Sequence, residues 1–170
     1  GYAPCKPKDR ERAMKTMERT EAVPYEAQEK GMPWDWETFP EFLDSVERTP
    51  KGVNILAYMG LAPLMIHVMG LENARKRPAT PEEMEKMKQC FREAMEAGAC
   101  GFSVQKAGKF SVQRDFDGEP MCTDTMANED LYAFGSVLAE FGRGFIQVAG
   151  PSMKSTENLA KASVRPILYN

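Results

Sequence analysis

Apolar residues recur along this chain at two different periods, and the switch between them marks its elements. From Lys8 to about Arg19, Ala13, Met14 and Met17 fall at helical spacing, while Glu21 to Gly31 is polar and reads as a turn-like link. Trp36 to Val46 predicts a short amphipathic helix, because Phe39, Phe42, Leu43 and Val46 step onto one face. From Gly52 the pattern changes. GVNILAYMG, an apolar run with β-branched residues between glycines, predicts a buried strand, and LAPLMIHVMG after it is a broken apolar segment. Thr80, Pro81 and Glu83 then make a helix start with a capping box. Met84, Met87, Phe91, Ala94 and Met95 form the apolar stripe of that helix, and Gly98 stops it.

The unit then repeats. ACGFSV (99–104) predicts a strand, and after a long polar loop Asn128 caps a helix with Leu131, Phe134, Leu138 and Phe141 inward. GFIQVAG (144–150) is strand-like, Thr156 to Ser163 helical, and ILY after Pro166 a last strand. Strands alternating with helices predict parallel βαβ units. Loops after the strands tend to be longer than loops after the helices, as in folds that carry a site at the carboxyl ends of their strands. The glycine-rich phosphate motifs of doubly wound sheets, G-x-G-x-x-G and G-x-x-x-x-G-K-[ST], do not occur. The expected fold is therefore α/β, a partial (β/α)8 TIM barrel. It has about four parallel strands over residues 52–170, preceded by a helical excursion at 8–48 within residues 1–51. A parallel strand is buried on both faces, and the last one here ends the sequence uncovered. The chain is thus expected to be part of a larger barrel, completed by the same protein or by companion chains.

Composition narrows the chemistry. The 170 residues are 42% hydrophobic and 28% charged, which suits a soluble protein with a core. A net charge of −3, without a block of like charges, argues against a nucleic-acid surface. The run KPKDRER (6–12) is expected as a solvated helix start. No apolar run approaches the ~18 residues that cross a bilayer, and no leader pattern opens the sequence. Cys5, Cys90, Cys100 and Cys122 stand far apart, which fits free thiols in a reducing cytosol. A self-contained zinc site needs about three or four converging ligands. His67, the one histidine, sits in LMIHVMG and is expected to be a satisfied, partly buried side chain. Ser103 lacks a base to activate it. Asp115, Asp117 and Glu119 surround a D-G turn and are expected in a solvated loop. Trp34, Trp36, Phe39 and Phe42 are expected to pack the excursion down, with a rim or partner surface as the alternative.

One series of motifs adds a resemblance. Gly1-Tyr2-Ala3-Pro4, PWDWETFPEFLD, GVNILAYMG, VMG (68–70), ATPEEMEKM (79–87), EAGACGFS (96–103), DGEP (117–120) and RPILYN (165–170) follow in order. Together they resemble the N-acyl-D-amino-acid deacylase (D-aminoacylase-like) branch of the amidohydrolase superfamily. The resemblance implies a (β/α)8 hydrolase that cleaves the amide C–N bond of N-acyl-D-amino acids or related amides. The attacking water would be activated by a divalent metal, zinc foremost, with an aspartate moving the proton. It also implies that most of this machinery lies outside the chain. The family's H-x-D or H-x-H motif precedes Gly1, its metal-binding cysteine stands just before Gly1, and its aspartate follows Asn170.

The sequence departs from that pattern at several places. Ala149 or its neighbour, and Asn170, stand where the family has histidines, while Leu61 is near a third and Met65 replaces an arginine. A second reading therefore stays open, a non-catalytic barrel part or binding subunit. Lys106 occupies a strand end where relatives tend to carry an arginine; it either grips a substrate carboxylate or stands in solvent. Gln147, Tyr169 and Asn170 are the other candidates for substrate contact, with hydrogen-bonded core as the alternative for Gln147 and Tyr169. The expected partners are a small-molecule substrate and the rest of the barrel, without nucleic acid or membrane.

Overall fold

Four short apolar runs form a single parallel sheet in the computed structural model, which describes residues 1–169. They are β1 (Met59–Gly60), β2 (Gly101–Gln105), β3 (Phe145–Ala149) and β4 (Ile167–Tyr169), and they neighbour one another in chain order. In register, Met59 faces Phe102, Gln105 faces Ala149, and Val148 faces Tyr169. Eight helices surround the sheet: α1 (Arg10–Glu21), α2 (Tyr25–Gly31), α3 (Phe39–Arg48), α4 (Leu61–Met69), α5 (Leu71–Lys76), α6 (Pro81–Ala97), α7 (Asn128–Phe141) and α8 (Met153–Ser163). The parallel strands and intervening helices match the expected partial (β/α)8 architecture. No helix among the described residues is long and apolar enough to cross a membrane.

The core lies on one face of the sheet. Side chains alternate along a strand, so Phe102, Val104, Ile146 and Val148 all point to the same side, where each is buried. They meet the apolar stripes of α6 (Met87, Phe91, Ala94, Met95) and α7 (Leu131, Phe134, Leu138). Phe91, Phe102 and Phe134 interlock edge to face, with centroids 5.6, 6.4 and 6.3 Å apart. Thr80 Oγ1 accepts from Glu83 N while the Glu83 carboxylate accepts from Thr80 N, so the expected capping box is formed. Gly98 closes α6 at φ 118°, a left-handed conformation that suits glycine.

The two tryptophans do pack the excursion down. Trp34 stacks on Trp36 at 5.1 Å, Phe42 meets Trp36 at 5.2 Å, and Phe39 is buried beneath. Each indole N–H finds a carbonyl, Trp36 that of Tyr2 and Trp34 that of Gln28.

Several elements differ from the sequence pattern, each for a physical reason. The strand expected over 52–60 shrinks to Met59–Gly60, because β2 begins only at Gly101 and the last tie backward is Cys100 N to Ala57 O. Val53, Ile55 and Leu56 consequently lie exposed. The polar link at 21–31 contains a helix, α2, anchored by a buried amide instead of an apolar side chain. Gln28 Nε2 donates to Met14 O and Val23 O, and its Oε1 accepts from the Tyr2 hydroxyl. The broken segment LAPLMIHVMG is one helix, α4, because Pro63 falls in the first turn where no intrahelical N–H is required. Asn128 does not cap α7; Ala127 does, and Asn128 Oδ1 accepts from Ser155 Oγ to tie α7 to α8. The helix expected from Thr156 starts at Met153, with Ser152 as its cap.

Two glycines separate sheet geometry from mere chain flexibility. Gly101 sits at φ 138°, and a Cβ there would lie 1.8 Å from Phe145 O, inside the β2–β3 ladder. Gly52 has nothing within 4 Å of its Cβ position. Gly101→Ala is expected to abolish the cooperative thermal transition of the protein carrying this chain. Gly52→Ala should change stability by less than about 0.5 kcal/mol. Equal melts for the two variants would contradict this pairing.

Candidate functional site

The second face of the sheet is polar. Ser103, Gln105 and Gln147 alternate with the core residues and so point away from α6 and α7. They line a cavity of about 280 Å³ together with Gly60, Leu61 and Ala149. Apart from Leu61, which opens α4, these residues lie on β1, β2 and β3, toward the carboxyl ends where parallel α/β folds place their ligands. Helix α1 crosses opposite, contributing Arg12, Ala13, Thr16, Met17, Thr20 and Glu21 to the wall. The loop at 106–127 closes one side with Gln113, Met121 and Thr123.

A buried carboxylate holds α1 there. Asp115 is fully buried, and its Oδ2 accepts from Arg12 Nη2 at 2.6 Å and Arg75 Nη2 at 2.8 Å. Its Oδ1 accepts from Thr16 Oγ1 at 2.6 Å and Phe116 N at 2.8 Å. Arg75 also reaches Asp117 through both Nη atoms. The expectation of a solvated loop for Asp115 is therefore corrected. The D-G turn does leave Asp117 and Glu119 exposed, but Asp115, three residues before Gly118, turns inward, to guanidiniums far from it in sequence. Likewise Arg10 and Arg12, expected in a solvated helix start, are partly buried and bonded, Arg10 to Trp36 O and Arg12 to Asp115. Burial alone would raise the Asp115 carboxyl, but the Arg12 guanidinium and the Thr16 hydroxyl overcome it and hold the group below the usual aspartate value.

A second carboxylate, Asp124, shapes the loop from within. It accepts from Ala107 N at 2.9 Å, Met121 N at 3.0 Å, and the side-chain amide of Gln105.

Among the residues expected to meet substrate, Gln147 lies in the cavity wall. Lys106 lies outside it, half-buried, with its backbone N–H on Ala149 O. Tyr169 also lies outside, donating its hydroxyl proton to Pro151 O at 2.9 Å. Asn170 falls outside the described residues. Leu61 and Met65, which stand where the resemblance implies a histidine and an arginine, are buried core residues. Sequence reasoning missed Gln105 and the α1 residues. The polar-apolar alternation of FSVQ was a usable signal for Gln105; nothing local to α1 announced Arg12 or Thr16.

The donors present do not make a metal site among the described residues, where no three His, Cys, Asp or Glu side chains converge. All four cysteines are free. Burial pushes the Cys5 thiol up to about 11 and the Cys122 thiol up to about 12, which disfavours the thiolate a metal requires. His67 is not the satisfied side chain expected of it. Its Nδ1 is buried without a hydrogen-bond partner among the described residues, and burial and the Lys6 ammonium hold the ring below the usual imidazole range.

No protein-family model matches the chain. A D-aminoacylase of Alcaligenes xylosoxydans xylosoxydans is 34% identical over 82 residues, 48% of this chain and 16% of that protein. An uncharacterised protein of Mycobacterium tuberculosis is 34% identical over 74 residues, 42% of this chain and 12% of that protein. In structure, the chain matches N-acyl-D-glutamate deacylase from Bordetella bronchiseptica, solved with zinc and a phosphonate inhibitor that mimics the tetrahedral intermediate. The TM-score is 0.58 at 18% identity, covering 78% of this chain and 26% of that one. The chain is D-aminoacylase-like in sequence over about half its length, and in fold it corresponds to part of the deacylase barrel.

The clasp yields a pH-dependent test. A carboxyl held below its usual value stabilises the fold fully above the unfolded aspartate value of 3.8, and that stability is lost as pH falls through the depressed folded value. Asp115→Asn leaves Arg12 without its counter-charge and should cost about 3–5 kcal/mol at neutral pH. Urea unfolding from pH 7 to pH 2.5 should show the gap between parent and variant closing on the acid side. A gap that stays constant would contradict a charged clasp.

Proposed function

We propose that this chain forms part of the substrate-binding wall of an amidohydrolase that cleaves the amide C–N bond of N-acyl-D-amino acids or related amides. The observation that carries the reading is the polar inner face at the carboxyl ends of β1–β3, enclosed under α1. A sheet face that served only as core would be apolar, as the opposite face is. Likeness in sequence to a D-aminoacylase, and in fold to a deacylase, supports the choice of reaction class.

The rest of the barrel is proposed to come from the same protein or from companion chains. Both β1 and β4 are sheet edges among the described residues, and Leu168 is 54% exposed on β4. An unpaired, apolar parallel edge is what a further strand covers. A divalent metal, zinc by analogy with the deacylase crystal structure, is proposed to be held by residues outside this chain, since the donors within it do not converge. When bound, such an ion supplies an activated water. What this chain's own residues do is bind and orient: Ser103 and Gln147 offer neutral hydrogen-bonding groups, and Met17 and Met121 supply apolar contact.

Ala149 in the cavity wall, where the resemblance implies a histidine, favours a second reading: a barrel part that binds ligand without catalysis. The two separate cleanly in the full-length protein. For the hydrolase, free D-amino acid is released from an N-acyl-D-amino acid panel, release stops on chelation, and zinc restores it. Failure to hydrolyse any amide with zinc supplied, with no metal in the purified protein, would favour the binding role.

A further inference from the structure

Gln105 is a side chain of the cavity wall whose orientation the structure fixes. Its Nε2 lies 3.1 and 3.0 Å from the two oxygens of Asp124, 3.0 Å from Ser111 Oγ and 3.1 Å from Gln113 O. All of these are acceptors, and the two amide hydrogens are shared among them. Asp124 is buried, and a carboxylate whose oxygens already take the Ala107 and Met121 amides can only accept. A rotated amide would set Gln105 Oε1 against those oxygens, so the rotation is closed to it. The consequence lies on the other atom. Oε1 makes no hydrogen bond among the described residues, while the side chain lines the cavity.

We infer that Gln105 Oε1 is a fixed acceptor for the N–H of a secondary amide in the ligand. With its donor end occupied, this glutamine cannot donate to a substrate carbonyl or carboxylate, and its oxygen repels both. A ligand group that suits it carries an N–H. An N-acyl amino acid has one such group, on the nitrogen of the bond to be cleaved, so the inference rests on the hydrolase reading and adds a specificity-determining residue to it. Asp124 acts through Gln105 as a positioning residue. It holds the amide in the accepting orientation and touches no ligand itself.

The test uses the full-length protein and two matched phosphonyl inhibitors of one D-amino acid, a phosphonamidate bearing N–H and the phosphonate ester with oxygen in its place. The wild type should bind the N–H member about tenfold tighter, the worth of one neutral hydrogen bond. Gln105→Met keeps the side chain's length without its acceptor and should bring the ratio of inhibition constants to about one. Asp124→Asn frees the amide to rotate and should lower the ratio as well, with thermal melts reporting whether each variant is folded. An unchanged ratio in Gln105→Met, with hydrolysis of N-acyl-D-amino acids intact, would overturn the Gln105 assignment alone. No binding of either inhibitor and no hydrolysis by the wild type would overturn the assignment together with the hydrolase reading.

Discussion

Burying Asp115 obliges the rest of the chain to supply its counter-charges, and that requirement joins three separate pieces. Arg12 and Thr16 come from α1, Arg75 from α5, and the carboxylate itself from the loop between β2 and α7. An isolated buried carboxylate costs several kcal/mol, so the arrangement is all or nothing. Because it closes, α1 lies across the polar face of the sheet and a cavity exists between them. Without the clasp α1 would lose its buried ion pair to the loop after β2, while the excursion kept its aromatic cluster.

The two faces of the sheet divide the work of the molecule. Phe102, Val104, Ile146 and Val148 meet α6 and α7 in a dry core, held by apolar area and by the edge-to-face phenylalanines. Ser103, Gln105 and Gln147, one residue out of phase with them, face a cavity, and Gln105 is held in place there by other polar groups. Asp124 orders Gln105 much as Asp115 orders α1. Both carboxylates lie in the loop that follows β2, and this explains how a long, polar segment keeps a defined shape.

Sequence pattern made the helices with strong stripes legible: α6 declared itself through Thr80, Glu83 and Gly98, and β2 and β3 through short apolar runs between glycines. Pattern failed where a single polar residue did the anchoring. Gln28 holds α2 without any apolar periodicity, and Asp115 looked like one of three loop acids because its partners lie 40 and 103 residues away. Pro63 misled for a different reason, since a proline in a first helical turn looks locally like one that breaks a helix. Of the candidate site, the motif series suggested the fold and Gln147 was named from strand alternation, while the same alternation in FSVQ, which marks Gln105, was missed. The contribution of α1 depended on a long-range ion pair that no local window contains.

The central claim is that the polar face beneath α1 is where a ligand sits. A crystal structure of the full-length protein with a bound phosphonate analogue of an N-acyl-D-amino acid tests it most directly. The ligand is expected between α1 and the strands, within hydrogen-bonding distance of one or more of Ser103, Gln105 and Gln147, with the Asp115 clasp intact. A ligand bound elsewhere, or an inner face filled by packed side chains from the rest of the barrel, would contradict the assignment.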